Sequence, residues 1–588
     1  MACRLMTFSA LCVLLGFLVA PSATEKAGIR TSVSKGINGG VSCAVCSVVV
    51  ALVEQTSEFH NESVATAMAR LCSYLPEPDK YQKFCKQFVD AIGPVLIKLL
   101  AEDASPDRAC HALGICTTDP GRQPCVSIPE PSLLADFEER VKRGREIVIR
   151  HDRHGIFQAG INICDLPGIK EICKLIDNIF DNHVPALDED HDSFSTYPTL
   201  RGSAWRGKDC DDSNPQRHPG AVPVDDDASS DSNCNGIYGT DPKTKVAYEK
   251  ELCAGTEPRG VAVLGDSISA HFHLPENWFD ATQISAAAFK HLDFIVENEI
   301  DWPEMSSATG LGFNNWTEVI QGPVDSVYMR LRERNRCNHK DYQNIAVNGA
   351  RSGSMDSGIM ESLARNQETD RPMVVIYALV GNDVCNGHVD DTFAHMTTPQ
   401  QMRANVLRTL EYLDTRLPKN STVFLVGLAD GRVLYDSLSH RIHPIGRFWN
   451  RFTYSQFYDY FNCLQVTPCC GWMNSNSTVR NMTTQRAIEL SAQLQDVAAK
   501  NQTYYNHFNV HYMANPINKA IEVWNAKGGQ TWQLLEPVDG FHSNQYGQAL
   551  TAQIIWEVAE KLVPGVFGPT NPNNQRIAQL FGDQGAYF

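Results

Sequence analysis

GVAVLGDSIS, residues 260–269, decides the fold. A short run of apolar and small residues ends in Gly265, Asp266 and Ser267, so a buried strand delivers a hydroxyl at its carboxyl end. Four further apolar runs follow: NIAV (344–347), MVVIYALV (373–380), TVFLVGLA (422–429) and NVHYM (509–513). They are continuous rather than alternating, as in strands buried on both faces. Helical patterns separate them, including 398–417 and 484–500. Alternating β and α elements predict an α/β domain, a parallel sheet with helices on both sides. Active residues of such sheets sit beyond the carboxyl ends of the strands.

Polar loops stand where those ends are predicted: GDSIS (265–269), NGARSG (348–353) and GND (381–383), followed much later by DGFH (539–542). A serine, a glycine loop, an asparagine and an Asp-x-x-His suit acyl transfer. A hydroxyl nucleophile needs a base, the base needs an orienting group, and the oxyanion needs converging N–H donors. The elbow G-x-S-x-G of α/β-hydrolases is absent. In this order the loops resemble the GDSL (SGNH) hydrolases over roughly residues 258–560. That resemblance implies a flavodoxin-like parallel sheet with Ser267 as nucleophile, in GDSI rather than GDSL. It implies His542 as general base, Asp539 as its partner, and the Ser267 amide, Gly349 and Asn382 as oxyanion donors. His271 and His273 follow Ser267 too closely to be its base, and are expected to face substrate or serve structure.

The 588 residues suit two to four domains. Their 43% hydrophobic content excludes a disordered, collagen-like or coiled-coil chain. A formal charge of −17 excludes a general nucleic-acid binder, because phosphate attraction needs a basic surface. Arg4 precedes the apolar run LCVLLGFLVA (11–20) and then PSAT, the parts of a signal peptide over residues 1–23. No later stretch reads as a membrane span. Nineteen cysteines and sequons at Asn61, Asn315, Asn420, Asn476, Asn481 and Asn501 agree with a secreted glycoprotein.

Six cysteines fall between Cys43 and Cys116, and Phe84, Phe88, Ile92, Leu96 and Leu99 mark one apolar helix face. So small a module has a limited core, which disulfides would reinforce. Spacing alone leaves 15 connectivities. The opening CAVC and closing CHALGIC resemble the saposin B family over residues 39–118. The resemblance implies a lipid-binding helical domain paired Cys43–Cys116, Cys46–Cys110 and Cys72–Cys85. The histidines there lack zinc-ligand spacing. Residues 119–180 read as a linker. Its basic cluster Arg140, Lys142, Arg143, Arg145, Arg150 and Arg153 is either a solvated helix face or a processing site between Arg140 and His154. After such a cut, Cys125 could tie two fragments together.

Residues 181–257 are acidic. Asp188, Asp190 and Asp192 alternate, and DCDDSNP (209–215) and DSNCNG (231–236) follow. Massed carboxylates repel one another without a cation, and calcium takes six to eight oxygen ligands. The pattern is similar to the disulfide-pinned calcium loops of thrombospondin type 3 repeats. That likeness implies a Cys210–Cys234 bond and structural Ca²⁺ held by Asp188, Asp190, Asp192, Asp209, Asp211, Asp212, Asp231, Asn233 and Asn235. Asp225–Asp227 are expected to face solvent.

The succession of signal peptide, saposin module, calcium loops and SGNH domain (258–588) resembles a family of serine esterases acting on bacterial lipopolysaccharide. It implies removal of the secondary, acyloxyacyl-linked fatty acids of lipid A, detoxifying it, by a secreted enzyme also found in lysosomes and vesicles. The span 39–118 holds nine acidic and six basic residues, so acid should ease its approach to an anionic lipid surface. A phospholipase or acyltransferase of the lysosome would use the same catalytic residues. A non-catalytic lipid carrier is the rival without chemistry.

Overall fold

The computed structural model describes residues 36–101, 105–127, 136–151, 183–312 and 315–586. The expected signal peptide and residues 128–135 and 152–180 of the linker lie outside them. Five strands, β1 (Gly260–Gly265), β2 (Tyr342–Asn344), β3 (Met373–Ala378), β4 (Ser421–Val426) and β5 (Phe508–Met513), form one sheet in the order β2-β1-β3-β4-β5. Every pairing is parallel. Side chains alternate across the pleat, which gives the sheet two cores. Leu264, Val375, Val423 and Val510 face one of them, with Leu410 and Leu490 from the helices that later cover it. Val263, Ile376, Phe424 and Met513 face the other, with Ile555 and Ala559.

The elements depart from the expected boundaries for local reasons. β2 ends at Asn344 because that side chain turns to the backbone, accepting from the Ala346 amide at 3.1 Å and donating to Ser269 O at 2.8 Å. The helix expected at 484–500 begins earlier, spanning Ser477–Asn501, because Asn476 caps it on the Thr478 amide at 2.9 Å. The helix expected at 398–417 stops sooner, spanning Pro399–Leu413, with Thr398 and Gln401 forming its capping box.

The amino-terminal module contains α1 (Gly40–Phe59), α2 (Val64–Tyr74), α3 (Lys83–Leu100) and α4 (Pro106–Ala112). Disulfides join Cys43 to Cys116, Cys46 to Cys110 and Cys72 to Cys85, the pairing the saposin resemblance implies. α1 corrects one expectation: it is long and apolar enough to cross a membrane, but most of it is buried inside the protein. The basic cluster is no free linker either. Arg140, Lys142, Arg143, Arg145 and Arg150 lie on the solvated face of α5 (Phe137–His151), which packs on the module through Gly144 and Val148, while Arg153 lies outside the described residues. A Cβ at Gly144 would come within 2.7 Å of Ala112 Cβ. Cleavage between Arg140 and His151 would therefore have to open a packed helix.

Module and sheet domain share one apolar core. Cys125 bonds Cys463 across 338 residues of chain. Further disulfides are Cys210–Cys234, as expected, Cys253–Cys337 and Cys385–Cys469; Cys470 is a buried free thiol. Five sequon asparagines are exposed, and Asn501 is half-buried.

Candidate active site

Ser267 opens a one-turn helix immediately after β1, capped by Asp266, whose Oδ1 accepts from the Ile268 amide at 3.1 Å. The other Asp266 oxygen accepts from the Val380 amide at 2.9 Å, which locks the loop after β1 to the loop after β3. Burial pushes the Asp266 carboxyl up to about 6.

Asp539, His542 and Ser267 form a continuous relay. His542 Nε2 lies 2.7 Å from Ser267 Oγ, and His542 Nδ1 lies 2.5 Å from Asp539 Oδ2. The second Asp539 oxygen accepts from the amides of Phe541 at 2.8 Å and His542 at 3.1 Å. All three residues are buried. Burial opposes charge on both members of the Asp–His pair, but their mutual attraction wins. It holds Asp539 below its ordinary value and His542 above.

The loops that carry two of the expected oxyanion donors are tied to one another. Gly349 follows β2 with φ +76°, a conformation that suits glycine. Asn382 Nδ2 donates to the carbonyl of the neighbouring Ala350 at 3.1 Å. Asp383 fixes this arrangement by accepting from the Ser352 amide at 2.9 Å and the Ser352 hydroxyl at 2.6 Å. An apolar cavity of about 90 Å³ adjoins the site, lined by Ile268, Val380, Gly381, Leu434, Leu535 and Phe541. Ile268, Gly381 and Phe541 are the chain neighbours of Ser267, Asn382 and His542, so the cavity lies against the loops that carry the reacting groups. It is smaller than the roughly 150 Å³ that accepts a benzene ring, so it takes only a few carbons of a chain as it stands.

His271 and His273 are both buried. His273 Nδ1 meets Glu536 Oε2 at 2.7 Å, and its Nε2 donates to Val319 O at 3.0 Å, a structural engagement. His271 keeps both ring nitrogens without a hydrogen-bond partner among the described residues. Glu536 escaped the sequence reading. It stands three residues before Asp539 but finds its partner 263 residues away, and no spacing signals such a contact.

The acidic block separates into distinct parts. Carboxylate oxygens of Asp188, Asp190 and Asp212 lie within 4.8 Å of one another, as do those of Asp190, Asp192 and Asp209. One oxygen each of Asp190, Asp192 and Asp209 is buried without a partner, and burial raises Asp192 to about 8 and Asp209 to about 6. Oxygen-only donors, crowded and unsatisfied, fit a hard cation. The other expected ligands also have contacts of their own, and one Asp231 oxygen, Oδ1, is likewise buried without a partner. Asp211 pairs with Arg217 at 3.0 Å. Asn233 and Asn235 donate their side-chain amides to Glu249 at 3.2 and 3.0 Å. Asp231 Oδ2 accepts from the Gly236 amide at 2.8 Å. Asp227, expected at the surface, is buried and accepts from the Ser232 hydroxyl.

Comparison with known proteins agrees with this geometry. A saposin-like domain matches residues 42–174, past the expected boundary at 118. A GDSL-like lipase/acylhydrolase domain matches residues 261–555. The human acyloxyacyl hydrolase is 42% identical over 584 residues, 99% of this chain and 99% of that protein. The chain belongs to the acyloxyacyl hydrolase family. The rabbit acyloxyacyl hydrolase is 44% identical over 545 residues, 93% of each chain. Mouse prosaposin is 37% identical over 81 residues, 13% of this chain and 14% of that one. Like its acyloxyacyl hydrolase relatives this protein is an ester hydrolase, built from a saposin-like helical region and a GDSL domain with a parallel sheet. Its lipid-binding type of module implies a lipid substrate, and its disulfides a secreted or lysosomal protein.

Proposed function

We propose that this enzyme removes secondary, acyloxyacyl-linked fatty acids from the lipid A of bacterial lipopolysaccharide. The observation that carries the reading is the unbroken Asp539–His542–Ser267 relay beside an apolar cavity. His542 Nε2 takes the Ser267 proton as Oγ attacks the ester carbonyl. The amides of Ser267 and Gly349 and the Asn382 side chain receive the oxyanion. His542 then returns the proton to the leaving hydroxyl of the underlying acyl chain, and water releases the fatty acid from Ser267.

The saposin-like module shields chains during transfer from the aggregate. Burial is worth about 0.8 kcal/mol per CH₂, so lifting a chain of a dozen carbons into water costs on the order of 10 kcal/mol. In the acidic block, Asp188, Asp190, Asp192, Asp209 and Asp212 hold structural Ca²⁺, whose charge offsets their mutual repulsion. The enzyme is secreted and works in lysosome-like compartments.

Mass spectrometry of lipopolysaccharide after incubation tests the substrate. Loss of secondary chains with retention of sugar-linked chains is expected, and Ser267→Ala should abolish it. No loss, with rapid hydrolysis of glycerophospholipids, would make the enzyme a phospholipase. Failure of a fluorophosphonate probe to label Ser267 would favour a lipid carrier.

A further inference from the structure

The loop that carries Asp539 and His542 is gripped by side chains from one other segment of the chain. Three of its carbonyls accept from that segment. Tyr454 Oη donates to Pro537 O, His443 Nε2 donates to Val538 O at 2.6 Å, and Tyr458 Oη donates to Gly540 O at 2.8 Å. His443 is fixed in one tautomer, because its Nδ1 accepts from the Ile445 amide at 3.2 Å. It is buried and neutral, its pKa pushed down to about 3 by desolvation. Gly540 allows the grip: with φ +60° it lies so close that a Cβ would come within 2.6 Å of Tyr458 Oη.

The same segment is where the saposin-like module takes hold. α6 (Tyr454–Cys463) carries Tyr454 and Tyr458 toward the catalytic loop and Tyr460 toward α1. Tyr460 Oη meets Ser47 Oγ at 2.7 Å. Cys463 closes the disulfide to Cys125. At the other end, Gln55 Nε2 of α1 donates to Ile445 O at 2.8 Å, two residues from His443. Trp449 Nε1 donates to Glu58 at 2.8 Å.

We propose that residues 443–463 are a positioning clamp through which the docked saposin-like module sets the placement of His542 against Ser267. The module then contributes to the chemical step itself, apart from any contact with lipid. Tyr454, Tyr458 and His443 are positioning residues, acting through the Pro537–His542 loop. The proposal rests on the catalytic reading of Ser267 and His542 given above.

The test uses the full-length enzyme and a soluble short-chain nitrophenyl ester, which needs no help from a lipid-binding module. Rates are expressed per active site titrated with a fluorophosphonate. Tyr454→Phe/Tyr458→Phe keeps both rings and removes two clamp bonds. A misplacement of about 1 Å can cost 10²-fold, so a partial release is expected to lower kcat about 10-fold with KM little changed. Ser47→Ala, on the module side, should lower kcat about 3-fold on the same ester, a fraction of that loss. Combined with Tyr458→Phe it should be less than additive, because both act through one element. A purely structural role would lower the yield of titratable sites or the melting temperature and leave kcat per site intact. If the double Tyr variant fails to fold, Tyr458→Phe and Ser47→Ala singly carry the test. Parental kcat per site in these variants overturns the clamp. Activity surviving in Ser267→Ala would instead overturn the catalytic reading on which it rests.

Discussion

Asp539→Asn tests the relay more sharply than removal of the serine, because it changes one atom and leaves the loop in place. Asp539 Oδ1 accepts the Phe541 and His542 amides, while Oδ2 faces His542 Nδ1 at 2.5 Å. An asparagine at this position keeps its carbonyl oxygen on the two amides, since only an acceptor fits there. Its NH₂ is thereby turned to Nδ1. A donor against Nδ1 requires that nitrogen to be the acceptor, so the proton moves to Nε2, which then faces Ser267 Oγ as N–H. The base is lost without loss of geometry. In serine proteases that tautomer switch costs about 10⁴-fold in kcat. At 1.36 kcal/mol per decade this is about 5 kcal/mol of transition-state stabilisation. The assay is steady-state hydrolysis of a soluble nitrophenyl ester beside the rate of fluorophosphonate labelling. Both should fall together while the melting curve stays close to the parent's. More than a tenth of parental kcat in a folded Asn variant would refute the relay as drawn.

Three other outcomes are expected. Chelation with EDTA should lower the melting temperature and added Ca²⁺ should restore it, because Asp190, Asp192 and Asp209 would be left crowded and unscreened; indifference to chelator, with no metal by elemental analysis, would dispose of the site. On soluble ester the acid limb of kcat/KM should lie above the ordinary histidine value of about 6.5, since Asp539 raises His542 and only the neutral ring can accept the Ser267 proton. Activity is therefore lost as pH falls through the raised value, and any preference for acid on lipid aggregates must come from surface approach; a flat profile down to pH 5 would contradict this. If the chain is cut after α5, Cys125–Cys463 should hold the fragments together, giving one species unreduced and two reduced. A single band under both conditions would count against processing.

What could be read from the sequence follows from the range over which chemistry writes a pattern. GDSIS, NGARSG, GND and DGFH are legible because each is a complete local device: a strand end, a cap, a positive-φ glycine, an Asp three residues before its His. The parallel sheet is legible because its central strands β1, β3 and β4, buried on both faces, are nearly continuous apolar runs, whereas the edge strands β2 and β5 are not. The disulfides of the small module came from family resemblance, whereas the partner of Cys125 stayed open because 338 residues of chain carry no spacing rule. The acidic block shows the opposite failure. Alternation marked its aspartates, but their long-range neighbours left no local mark: Arg217 pairs with Asp211, and Glu249 accepts from the amides of Asn233 and Asn235. The same limit hid Tyr454, Tyr458 and His443. Their partners are backbone carbonyls, which every residue possesses, so no residue type at Pro537, Val538 or Gly540 announces the contact except the glycine itself. Gly540 is the one position at which the long-range packing leaves a local mark, because a side chain there would meet Tyr458. A glycine between catalytic Asp and His therefore reads first as loop flexibility, but here it reports the close approach of a second segment. The catalytic loop is held by that segment, which is in turn fastened to the module.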